Sequence, residues 1–128
     1  MYKNLTITGV LGIVAVVLGA FGAHALKAKL SAEAMESFQT AVRYQFLHVL
    51  LLLFVNSFKE FTESQKNKIS IFLFLGIILF SGSIYAIYLG NVPAKAIWFV
   101  TPLGGLFLII GWAILTYHFL KKVIKAKS

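Results

Sequence analysis

The run "LTITGVLGIVAVVLGAFGAHAL", Leu5–Leu26, decides the fold. It carries no charge and falls within the roughly 17–25 residues that a membrane-spanning helix needs. Lys3 ahead of it and "AHA" (Ala23–Ala25) at its end imitate a secretory signal with a small-residue cleavage site. The run is long for the apolar core of such a signal, and three more apolar runs follow. It therefore reads as an uncleaved first helix ending near Leu26.

The other three runs are 40–58, 69–89 and 96–120. Each must be helical, because an isolated strand leaves its backbone groups unpaired in lipid. The expected fold is all-α: an integral membrane four-helix bundle with antiparallel neighbours, forming one domain over 1–128. A short amphipathic helix is expected at 31–38, with Ser31 as its cap. "GNVPAK", Gly90–Lys95, is expected to be a tight turn.

Composition agrees. Of the 128 residues 59% are hydrophobic and only 12% charged, against about 45–50% apolar in soluble domains. The net charge of +8 does not indicate nucleic acid, because the lysines flank the spans, where membrane topology places them. Lys3, Lys59, Lys66, Lys68, Lys121, Lys122, Lys125 and Lys127 fall on the side of the termini, and Lys27, Lys29, Arg43 and Lys95 on the other. Eight against four predicts that both termini are cytoplasmic. With no cysteine, thiolate catalysis and cysteine-ligated metals are excluded.

Small residues supply the packing expectation. Ala15, Gly19 and Ala23 recur every fourth residue, and Gly22 widens their face, so helix one is expected to approach a neighbour closely. Gly76, Gly82 and Ala86 on helix three, and Gly104, Gly105 and Gly111 on helix four, are expected to act alike. Pro102, in "TPLGG", is expected to kink helix four.

Polar residues gather in the outer half. His24 ends helix one. Arg43, Tyr44, Gln45 and His48 lie on helix two, Ser81, Ser83 and Tyr85 on helix three, and Thr101 on helix four. They are read as a polar cluster that binds lipid or a partner. An intramembrane arginine is costly, so Arg43 is expected to find acceptors near the end of helix one or in the Lys27–Gln39 connection, with His24 and His48 close by. The inner half reads as plainer. The chain has no aspartate, so no nucleophile–base–orienter set is apparent. No catalytic residue, metal site or cofactor is expected.

Taken together, "LGAFGAHALK", "FQTAVRYQFLHVLLLL", "FSGSIYAIYL" and "TPLGGLFLIIGWAIL" resemble the YgdD-like small inner-membrane proteins, a domain of unknown function. The resemblance implies four transmembrane helices in a bacterial inner membrane, or in the mitochondrial inner membrane of a eukaryote. It implies that Gly19, Gly22, His24, Arg43, Tyr44, His48, Gly82, Ser83, Pro102, Gly104 and Gly105 occupy family-motif positions. It carries no activity. The expected function is an accessory subunit that binds membrane lipid, a larger membrane-protein complex or a second copy of itself. The alternative is an oligomeric transporter or channel for a small solute or protons.

Overall fold

The computed structural model describes residues 2–128. Four helices are long and apolar enough to cross a membrane: α1 (Tyr2–Leu26), α2 (Ala32–Ser57), α3 (Glu63–Tyr88) and α4 (Val100–Lys127). Among the described residues there is no strand. Side-chain bonds from Asn4 to Asn56 and Asn67, and from Lys122 to Glu60, gather the start of α1, the end of α2, the start of α3 and the end of α4. This is the terminal end. The α1–α2 and α3–α4 connections lie at the far end.

Helix boundaries differ from the expected spans because polar residues extend helices beyond the apolar run. The short amphipathic helix and the second span are one helix, as nothing between Phe38 and Thr40 breaks the periodicity. Ser31 caps it, accepting from the Ala34 N–H at 3.1 Å. α3 starts six residues before Ile69, behind a reciprocal cap in which the Thr62 hydroxyl accepts from the Gln65 N–H and the Gln65 side chain accepts from the Thr62 N–H. The α3–α4 connection is longer than a tight turn. Asn91 adopts φ 55°, and a 3₁₀ turn over Ala94–Ala96 precedes α4.

That late start removes the expected kink. Pro102 falls in the first turn of α4, where a missing N–H breaks no intrahelical bond. Irregular geometry occurs instead in α1. Over Leu18–Gly22 the turn widens, and the Ala23 N–H bonds the Leu18 carbonyl five residues back.

Packing is graded. α3 and α4 interlock most closely, through glycines: Gly111 lies opposite the Leu73 side chain and Gly76 opposite that of Leu108, while Gly104 lies against the α3 backbone at Leu79 and Phe80. α2 packs on α3, and α1 mainly on α2. Leu52, Val55, Ile69, Leu73, Ile77, Leu108 and Leu115 form the apolar core. α1 has the highest mean hydropathy, 2.3, and α2 the lowest, 1.4; α1 is also the most exposed of the four and α2 the most enclosed.

The expected small-residue face on α1 is partly shifted. Ala15 is fully buried. A Cβ on Gly19 would stand 3.1 Å from Val42, and one on Gly22 would stand 3.2 Å from Phe38. Ala23 is only partly covered. On α4, Gly104 is a close-approach glycine, and Gly105 is in ordinary contact range of the Phe80 ring. Gly82 is not a packing glycine, since nothing lies within 4 Å of a Cβ built there.

Candidate functional site

The polar residues expected in one cluster fall into separate sets. The most enclosed belongs to Gln45, which lies between α1 and α3. Its amide nitrogen donates to the Leu11 carbonyl at 2.7 Å, and its oxygen accepts from the Tyr85 hydroxyl at 2.7 Å. One side chain thus joins three helices. Close by, Ser81 donates to the Ala41 carbonyl at 2.7 Å, tying α3 to α2.

A second set lies where α2 meets α4. The His48 Nδ1 is 2.6 Å from the Tyr44 carbonyl, and its Nε2 is 3.0 Å from the Trp112 indole nitrogen. A carbonyl only accepts and an indole N–H only donates. The bonds therefore assign the Nδ1–H tautomer, with Nε2 as acceptor. Both ring nitrogens are engaged, so His48 is a structural link rather than an open ligand. Tyr44 stacks on Phe80, with ring centroids 4.7 Å apart. A third set, between α3 and α4, pairs the hydroxyls of Ser83 and Thr101; Ser83 also lies 2.9 Å from the Phe80 carbonyl.

The His48–Trp112 bond yields a direct prediction. A double-mutant cycle of His48→Ala and Trp112→Phe, read by thermal unfolding in detergent, is expected to show a coupling of about 1 kcal/mol. Additive effects would show that the bond contributes nothing.

His24 and Arg43 do not join these sets. His24 is exposed at the end of α1, and its ring makes no hydrogen bond among the described residues. It fails to meet His48 because it faces out of the bundle, whereas His48 faces α4. Arg43 does lie beside the end of α1. With Gly19, Ala23, Gln39 and Val42 it lines a groove of about 260 Å³ between α1 and α2. The expected acceptors do not reach it: Arg43 is exposed and has no hydrogen bond or ion pair among the described residues.

The terminal half is less plain than its sequence. Asn56, fully buried, donates to the Leu52 carbonyl at 3.0 Å and to the Ser70 hydroxyl at 2.8 Å, and accepts from Asn4 at 3.0 Å. Asn4 also reaches Asn67 at 2.8 Å, and its carbonyl accepts from the buried Thr8 hydroxyl at 2.7 Å. These residues were missed because they sit at span ends, where polar groups read as interfacial. The available signal was Asn56 in "LLLLFVNSF": an amide inside an apolar helix needs partners. At the same end His118 meets Gln65 at 3.4 Å, and its Nε2 is the one buried side-chain polar atom without a partner among the described residues. No group of three or more His, Cys, Asp or Glu side chains is placed to hold a metal ion among the described residues.

Four antiparallel helices of this length and hydropathy, tied together by buried amides and hydroxyls, define a polytopic integral membrane protein. The chain belongs to the family described as "Protein of unknown function (DUF423)", whose model matches residues 18–105. It is 40% identical to a UPF0382 membrane protein of Staphylococcus epidermidis, across 93% of this chain and 97% of that one. It is 37% identical to a UPF0382 membrane protein of Haemophilus influenzae, across 90% and 91% of the two chains. It is also 37% identical to the UPF0382 inner membrane protein YgdD of Escherichia coli K12, across 87% of this chain and 84% of YgdD. No solved structure matches with significance. The chain is a multi-pass inner-membrane protein of the YgdD-like family that its motifs resemble.

Proposed function

We propose that this protein is an accessory membrane protein that acts by binding, with its recognition surface on the α1–α2 flank. One observation carries the reading: the unmet chemistry within the spans faces outward. Arg43 is the charged side chain furthest from either end of its helix, and it is exposed, with no side-chain hydrogen bond or ion pair among the described residues. The buried polar groups of the interior are bonded to one another, apart from His118 Nε2 near the terminal end. Between the Gln45 set and the Asn56 set lie Val49, Leu52, Leu73 and Ile77, all buried and apolar. A path for protons or solutes through one copy would have to cross that block, which favours binding over transport. The lysine and arginine distribution supports cytoplasmic termini, with Arg43 towards the outer surface.

Site-specific photo-crosslinking in native membranes tests this. A benzoylphenylalanine at Gln39, beside Arg43, is expected to give a discrete adduct that Arg43→Gln reduces. The same probe at Ile109, exposed on α4, is expected to give only diffuse lipid labelling. Identical labelling at both positions, or protein-dependent proton flux in reconstituted liposomes, would overturn the reading.

A further inference from the structure

We infer that the α1–α2 groove takes the phosphate of a membrane phospholipid, held by Arg43 with an acyl chain laid over Gly19 and Ala23. This rests on the outward-recognition reading and names its ligand.

Depth supports it. At 1.5 Å per residue, Arg43 lies roughly 16 Å along α2 from Ala32, and Gly19 lies roughly 10 Å from the end of α1 at Leu26. The groove therefore sits one to two turns below the far end of α1. A guanidinium at that level reaches the headgroup layer by extending along its own helix.

Chemistry supports it too. A guanidinium without a partner in this setting costs free energy, and its planar fork matches a phosphate. No acidic side chain lines the groove among the described residues: beside Arg43 the lining is Gly19, Ala23, Gln39 and Val42. Glu36, on the same side of α2, is nearly two turns further out and is exposed. The walls fit an acyl chain, because Gly19 and Ala23 leave the α1 side almost bare and Val42 offers an apolar floor. The widened turn of α1 over Leu18–Gly22 lies in this wall, and such turns frequently mark functional sites.

The test uses the full chain in a maltoside detergent, whose headgroup has no phosphate. Phosphatidylglycerol is titrated in and retained lipids are counted by native mass spectrometry. The wild type is expected to hold one lipid in preference to others. Arg43→Gln is expected to weaken retention roughly tenfold, equivalent to about 1.4 kcal/mol. Arg43→Lys is expected to fall between the two, keeping the charge without the fork. Because Arg43 is exposed, both variants are expected to melt like the wild type, which controls for folding. Equal retention by Arg43→Gln, or displacement of the lipid by inorganic phosphate, would overturn the inference. If retention ignores Arg43 while the Gln39 adduct still depends on it, the lipid assignment fails and outward recognition stands. If neither depends on Arg43, both fail.

Discussion

Gly104→Ala is expected to destabilise the protein by about 3 kcal/mol, near the upper end of the range for overpacking. A Cβ there would stand 2.7 Å from both the Leu79 carbonyl carbon and the Phe80 Cα. Those are backbone atoms of α3, so no side-chain rotation relieves the clash. The helices must separate along their closest contact, where packing is the main force holding membrane helices together. Two comparisons isolate this cause. Gly111→Ala meets only Leu73 side-chain carbons at close range, at 2.6 and 3.0 Å, and is expected to cost less because that side chain can turn. Gly82→Ala enters open space and is expected to be neutral, or to stabilise by up to about 1 kcal/mol through helix propensity. Thermal unfolding in detergent gives the order. A Gly104→Ala protein melting with the wild type would show that α3 and α4 do not touch there.

Asn56→Ala is expected to cost about 2 kcal/mol. The change opens a cavity at a fully buried position and strips partners from Ser70 and Asn4 together. Interhelical hydrogen bonds in membranes average well under this, about 0.6 kcal/mol each; the larger figure reflects two lost links plus lost packing. Ser70→Ala combined with Asn56→Ala is expected to cost less than the sum of the two, since they share a bond. Wild-type stability in Asn56→Ala would mean that the amide network contributes nothing to holding α1 at the terminal end.

The spans were legible because lipid imposes a length and a composition, and few other constraints produce four such runs. Their ends were less so: Ala32–Gln39 and Glu63–Lys68 are polar, helical and outside the apolar windows. Depth along a helix is readable by counting, which puts Ser83 and Thr101, on different helices, at one level, where their hydroxyls meet. Direction around a helix was not. His24 and Arg43 lie at the end that counting gives, but His24 faces away from His48, and Arg43, though beside α1, makes none of the expected bonds among the described residues. Gln45 is readable as a polar residue one turn into its apolar run, yet its central position depends on pointing between α1 and α3 rather than towards α4, where His48 points. The Asn4–Asn56–Asn67 contact joins three separate helix ends, and no local spacing encodes that.

The order of the helices along the chain has a consequence for biogenesis. Of the four helices α1 precedes the others in the chain, and it is the oiliest and the least enclosed. The second, α2, carries Arg43, Gln45, His48 and Asn56, and its partners Tyr85, Trp112 and Ser70 are all still unmade when it enters the membrane. The partners that precede α2 in the chain lie on α1: the Leu11 carbonyl accepts from Gln45, and Asn4 donates to Asn56. The order of synthesis thus gives α2 its partners on α1 first and those on α3 and α4 afterwards.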